Sequence, residues 1–428
     1  MNKGILSNGF LFAIMLSVCL SGCVKEKIPI VANNITLSQN ELTLAVGAVE
    51  TLIATVVPDN ATDKSLIWSS NNVDVVTVNQ NGKVTAVGAG TAAITATTSN
   101  GIKVTCAVTV NTKYFVVAYQ GSANINTSLV THIIFAFGVL KEPNFEEIEL
   151  SSTRKSNLRA VANLKNTKPA LKILLSIGGW EADGFSQMAG DNTKRLKFAS
   201  DCKRVIDEYN IDGIDLDWEF PTSSMAGIAS SPDDMDNFTL LCRDIRTAIG
   251  NDKLLTVATA TSTKYINNSA IMAYVDFINI MCYEFADPPY HHSPLHRSDL
   301  GWFSCESAVK AHYDAGVPYN KMVLGIPFYG RAEKNIQSGS RSVHYKDIIG
   351  PNWLGNPAYS RKWENVAKVP YLVDASGKLI LSYDDAESIA EKCNFIREKE
   401  MLGAMYWHYS YDDDNSTLRK AVFNGLGQ

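Results

Sequence analysis

Residues 212–220, DGIDLDWEF, place four acids within eight positions of an otherwise apolar, strand-like run. Crowded acids cost stability, so their presence points to chemistry. Side chains alternate along a strand, which puts Asp215, Asp217 and Glu219 on one face and Ile214, Leu216 and Trp218 on the other. If the apolar face packs on helices, the three acids project into one space, with successive carboxylates about 6 to 7 Å apart at the backbone. They cannot all ionise comfortably there, and at least one keeps its proton near neutral pH, as a general acid must. A divalent-cation cage, or plain ion pairing with Lys or Arg, would also use clustered acids. A cage usually draws on turn carbonyls or separate loops, and no EF-hand-like loop with its glycine is present. The 7 histidines and 8 cysteines show no metal-ligand spacing, so neither a metal ion nor a cofactor is expected.

The elements around this run read as a barrel. From residue 114 onward, continuous apolar runs alternate with helical patterns, the signature of parallel strands buried on both faces. Eight strands are predicted, at 114–119, 132–137, 172–177, 213–218, 254–259, 277–282, 322–328 and 403–408. Interleaved with helices they imply a (β/α)8 TIM barrel, whose carboxyl face carries the chemistry. The acid run ends strand four. A helix is predicted over 193–210, with Phe198, Cys202, Val205 and Tyr209 on its apolar stripe. Strands seven and eight are separated by a small insertion, 332–384, with a hairpin of 369–374 and 378–383 turning at Ser376-Gly377. An insertion there shapes a cleft.

Ahead of the barrel the texture differs. Residues 1–22 read as an export leader, with Lys3 before the apolar run 10–20, too short for a comfortable membrane span. Leu20-Ser21-Gly22-Cys23 resembles the bacterial lipobox. That implies cleavage before Cys23, its acylation, and a membrane-anchored lipoprotein of the bacterial envelope with 23–32 as tether. Residues 33–111 alternate over short segments with turns such as Asn81-Gly82, which predicts six or seven strands in a small all-β sandwich with Trp68 in its core. IWSSNN, NGKVTAVGAGTAAITA and VTCAVTV in this segment resemble the bacterial Ig-like domain of group 2, a spacer or adhesive module. The other six cysteines lack CxxC spacing, and those that can be placed, such as Cys106 and Cys202, sit at core-facing positions, so buried free thiols are expected. With 428 residues, 46% hydrophobic content, a net charge of -5 and no basic block, the chain is globular and no nucleic acid is expected as partner. A monomer is expected.

The acid run is also where a family resemblance becomes specific. DGIDLDWE matches the DxxDxDxE signature of glycoside hydrolase family 18, the chitinases and related endo-β-N-acetylglucosaminidases. LLSIGGW (174–180), INIMCYEF (278–285), GIPFYGR (325–331) and GAMYWHYSYDD (403–413) are similar to its other strand-end motifs, in order across 114–426. The resemblance implies retaining cleavage of β-1,4 links beside N-acetylglucosamine, with the substrate's acetamido group as nucleophile, a case outside the two-carboxylate scheme. It assigns Glu219 as acid and then base, Asp217 as the group that orients the acetamido and stabilises the positive intermediate, and Asp215 as a sharer of the proton. Tyr283 would hydrogen-bond the acetamido carbonyl and Trp407 would floor the cleavage site. Asp212 is structural in this scheme.

Trp180 is expected either to stack on the leaving-side sugar or to fill core. Tyr119 and Arg331 are expected as hydrogen-bonding partners of the sugar, with Met281 packed beneath the site. Phe137, Gly178, Gly179 and Glu284 complete the expected substrate-binding set. Glu284 departs from the family, which usually has Asp there, and this affects reach and therefore substrate preference or rate. The segment PPYHHSPLHRS, with His291 and His292, is expected to line or close the cleft. Partners implied are chitin, chitooligosaccharides or other N-acetylglucosamine-containing glycans. Release of N-glycans is the alternative activity, and a non-catalytic glycan-binding barrel is a third reading that the presence of Glu219 disfavours.

Overall fold

A computed structural model describes residues 28–46, 48–88, 90–111, 113–336 and 341–427. The expected leader, Cys23 and tether residues 23–27 lie outside the described residues. Eight parallel strands form the barrel: β1 Phe115–Gln120, β2 His132–Leu140, β3 Lys172–Gly178, β4 Gly213–Asp217, β5 Leu254–Thr259, β6 Phe277–Ile280, β7 Met322–Pro327 and β8 Gly403–Trp407. Each pairs with its sequence neighbours, and β1 pairs with both β2 and β8, so the sheet closes on itself.

Alternation along the strands divides the core in two. Val117, Tyr119, Ile134, Leu174, Val323 and Met405 point inward and pack together inside the barrel. Val116, Ile133, Ile173, Leu175, Ile214 and Leu216 point outward and join the layer beneath the helices. In the acid run Ile214, Leu216 and Trp218 are buried in that outer layer, which leaves Asp215 and Asp217 for the inside. The helix expected over 193–210 spans Asn192–Tyr209. Its start is fixed by Asp191, whose side chain accepts from the N–H groups of Thr193 and Lys194, and its end by Asn210 at φ +54. Phe198, Cys202 and Val205 on its buried stripe are completely or almost completely removed from water, and truncating Phe198 to Ala would cost about 3 to 5 kcal/mol.

The insertion after β7 is more elaborate than a hairpin. It builds a five-stranded antiparallel sheet in the order Ser342–His344, Tyr329–Ala332, Leu379–Ser382, Val369–Val373, Ser360–Glu364. The expected hairpin supplies the third and fourth of these strands. The remainder are three to five residues long, too short for periodicity to announce them.

Among the described residues the N-terminal region is a strand-rich Ig-like unit of nine strands, where six or seven were expected, arranged in sheets of two, four and three. Very short strands such as Val49–Thr51 and Val76–Val78 account for the excess. Lys103–Asn111 pairs antiparallel with Gly90–Thr98, and on its other side pairs parallel with Glu41–Ala45. Trp68 lies in the core with Ile35, Val84, Ile94 and Cys106. Cys106, Cys202, Cys242, Cys282, Cys305 and Cys393 are all buried and form no disulfide.

Candidate active site

The site is built upward from Asp215. This carboxylate is wholly buried inside the barrel and accepts four hydrogen bonds: from Tyr119 Oη at 3.0 Å, Ser176 Oγ at 2.7 Å, Thr256 Oγ1 at 2.5 Å and Asn279 Nδ2 at 3.3 Å. The donors come from β1, β3, β5 and β6. Burial raises the pKa of Asp215 and the four hydrogen bonds oppose that rise, so its anion is the best supported of the three. Asp217, one step nearer the mouth, contrasts with it: its Oδ1 is buried with no hydrogen-bond partner among the described residues. Burial, then the charges of Glu219 and Asp215, push its pKa well above the carboxylate range. Glu219 is pushed up to about 7, first by burial and then by the negative charge of Glu284. Negative charge therefore settles at the bottom of the row and protons toward the top.

Two glycines, Gly178 at the end of β3 and Gly179 after it, make this approach geometrically possible. Gly178 has φ +120, and a Cβ there would lie 2.1 Å from the carbonyl oxygen of Asp217. The Gly179 N–H donates to that same oxygen at 2.8 Å, and a Cβ on Gly179 would stand 2.9 Å from the ring of Phe137. Neither glycine lines the cavity. The Gly179 N–H holds the Asp217 backbone, and the absent side chains leave room for the Asp217 carbonyl and the Phe137 ring.

Above the acids lies a cavity of about 460 Å³ walled by Trp407, Phe137, Trp180, Tyr283, Tyr329 and Glu284, with Met281 also exposed to it. Trp407 stacks on Phe137 at 5.6 Å between ring centroids and leans on Tyr119 at 5.7 Å. Trp180 is 54% exposed, which removes its core-filling alternative. It borders both this cavity and an adjoining one of about 330 Å³ lined by Phe220, Met225 and Tyr265, with Glu219 common to the two. Burial, followed by the charges of Asp217 and Glu219, raises the Tyr283 hydroxyl well above its ordinary range, so it stays a donor.

Three expectations change. The Tyr119 hydroxyl donates to Asp215, so it supports the acid row from below while its ring lines the cavity. Arg331 lies outside the cavity lining. Its Nε donates to Asp287 at 2.7 Å and its Nη1 contacts both Ser342 and Glu284, so two of its three nitrogens are engaged by protein groups. His291 and His292 are fully buried under the insertion sheet and do not line the cleft. Asp212 sits just before β4, where its carboxylate accepts from Lys165 Nζ at 2.9 Å and from the Ile173 N–H at 2.9 Å.

Sequence reasoning missed Tyr329, whose hydroxyl donates to Glu284 Oε1 at 2.8 Å, and the donors Ser176, Thr256 and Asn279. The last three had a signal: each is a small polar residue at an inward position of an otherwise apolar barrel strand.

A closed barrel with a proton-holding carboxyl row at the end of strand four, under an aromatic-walled cavity, has the architecture of a glycoside hydrolase. Residues 109–412 match the glycosyl hydrolases family 18, and residues 31–108 match the bacterial Ig-like domain (group 2). The chain belongs to glycosyl hydrolase family 18. It is 36% identical over 308 residues to Chitinase A1 of Niallia circulans, a match covering 62% of this chain and 44% of that protein. Identity to Chitinase B of Serratia marcescens is 29%, covering 68% of this chain and 75% of that one. Among solved structures, a family 18 N-acetylglucosaminidase from Paenibacillus barengoltzii superposes with a TM-score of 0.66 at 33% identity, over 73% of this chain and all of that one.

Proposed function

We propose that this chain is a retaining glycosidase of the chitinase type, cleaving β-1,4 links of N-acetylglucosamine polymers or oligomers. The observation that carries it is the placement of the acid row: Glu219 and Asp217 open on the aromatic-walled cavity above the buried Asp215, where burial and the charge of Glu284 raise the Glu219 pKa to about 7, well above the ordinary carboxylate range. In this reading the sugar at the cleavage point lies on Trp407. Its acetamido carbonyl meets the Tyr283 hydroxyl and its N–H meets Asp217, which aims the carbonyl oxygen at the anomeric carbon. Glu219 gives its proton to the leaving oxygen as the acetamido oxygen closes on that carbon. Positive charge then builds on the ring formed, and the Asp217–Asp215 pair offsets it. Glu219, now an anion, takes a proton from water, which opens the ring with net retention. The leaving sugar rests against Trp180.

Likeness to the Paenibacillus N-acetylglucosaminidase supports a second reading, release of single sugars from chain ends. Incubation of residues 24–428 with chitopentaose and a high-mannose glycopeptide, followed by mass spectrometry, separates the possibilities. Chitinase-type action gives dimers and trimers, terminal action gives monomer, and a peptide left with one N-acetylglucosamine indicates N-glycan release. No cleavage of either would sink the hydrolase reading.

The lipobox-like residues 20–23 support an envelope lipoprotein anchored through Cys23. Labelled palmitate should enter the full chain and fail to enter its Cys23→Ala variant. Size-exclusion chromatography with light scattering tests the expected monomer.

A further inference from the structure

We propose that His292 is a positioning residue that holds Tyr283 and Glu284 in working arrangement at the cavity wall, an inference that rests on the hydrolase reading above. After β6 the chain loops out and returns, so that the Phe285 N–H donates to the His292 carbonyl at 3.0 Å. The imidazole sits in full burial between two cleft residues. Its Nδ1 accepts from the Glu284 N–H at 3.3 Å, and its Nε2 lies 3.1 Å from the carbonyl oxygen of Tyr329. A carbonyl only accepts, so Nε2 carries the hydrogen and Nδ1 is free to accept: one neutral tautomer satisfies both contacts. Burial, with Lys392, Arg331 and His291 nearby, favours the neutral form.

The next residue completes the grip. Ser293 Oγ donates to the Cys282 carbonyl at 2.6 Å and receives Lys392 Nζ at 2.7 Å. The Cys282 carbonyl belongs to the peptide before Tyr283 and the Glu284 N–H to the peptide after it. Both peptide groups flanking Tyr283 are therefore held by adjacent residues of one buried segment. Glu284 itself has φ +57, a conformation a side-chain-bearing residue keeps only when its surroundings enforce it. Tyr329 closes the ring, with its carbonyl facing His292 and its hydroxyl donating to Glu284 Oε1.

Two substitutions divide the roles of the imidazole. Asn places an amide oxygen near the Nδ1 position and keeps an acceptor for Glu284, whereas Gln places its amide near Nε2 and keeps only the tie to Tyr329. Hydrogen exchange of residues 281–286 in the full chain, read by mass spectrometry with residue resolution, reports the grip without any turnover. Steady-state kinetics on chitotetraose across pH report its consequence. His292→Gln is expected to expose the Glu284 amide and lower kcat/KM about ten- to a hundredfold, mainly through kcat. The alkaline limb should move to lower pH as the Glu284 carboxylate leaves Glu219. His292→Asn is expected to stay within about threefold of wild type. Equal losses in the two variants, or unchanged exchange at Glu284 in His292→Gln, would overturn the proposal. An unprotected Glu284 amide in the wild type would do so even if a variant fails to fold. A wild type that protects this amide and cleaves no substrate would sink the hydrolase reading and leave the grip standing.

Discussion

Glu219 and Glu284 face the same cavity, and after burial it is the charge of Glu284 that most strongly keeps the proton on Glu219. Free enzyme needs that proton, so kcat/KM should fall as pH rises through about 7. Glu284→Gln keeps the shape and removes the charge. A lost negative neighbour makes the proton easier to release, so the falling limb should move toward lower pH. A pH–rate profile with an unmoved or raised limb would contradict this.

Removing the acid itself should separate catalysis from binding. Glu219→Gln is expected to lower kcat at least ~10²-fold while isothermal titration still detects chitotriose binding. It should also change how stability depends on pH. The folded chain holds this proton more tightly than the unfolded one, with a pKa of about 7 against 4.5. The stabilisation is complete below the lower value and lost as pH rises through the upper one, and each pH unit that separates the two values is worth about 1.4 kcal/mol. Gln has no proton to lose, so the melting temperature of the variant relative to wild type should be higher at pH 8 than at pH 4.

Gly178→Ala probes the approach of β3 to the acid row. The added Cβ meets the Asp217 carbonyl at 2.1 Å in a backbone conformation that disfavours any side chain. A loss of about 2 to 4 kcal/mol in denaturant unfolding is expected, together with impaired turnover. A variant of wild-type stability would mean that β3 can shift without cost.

Trp180→Ala should show the opposite balance. Its ring is half exposed at the junction of two cavities, so the melting temperature should stay unchanged. KM for chitopentaose should rise about three- to tenfold, the worth of one lost stacking contact. An unaltered KM would place the leaving sugar elsewhere.

Local pattern carried most of the barrel. A strand such as Lys172–Gly178 is apolar on both faces because helices cover one and the barrel core the other, and that doubled burial is visible in one dimension. The acid row was legible for the same reason, since Asp215 and Asp217 interrupt such a strand on one face only. What escaped was nonlocal. His292 reads as a loop histidine until the insertion sheet covers it, with Ser382, 90 residues away, accepting its backbone N–H. Arg331 reads as a free cation until Asp287 folds back onto it, and Tyr119 as a sugar contact until Asp215 rises beneath its hydroxyl.

The unpaired thiols bear on how this chain can be made. Six cysteines lie inside hydrophobic or hydrogen-bonded interior and none is joined to another, so the described fold depends on no oxidation step. Production in a reducing cytoplasm, with dithiothreitol present throughout purification, should yield the same fold and melting temperature as an oxidising compartment. Thiol-blocking reagents should label these positions only after unfolding, which turns the cysteines into a count of how much of the chain has opened.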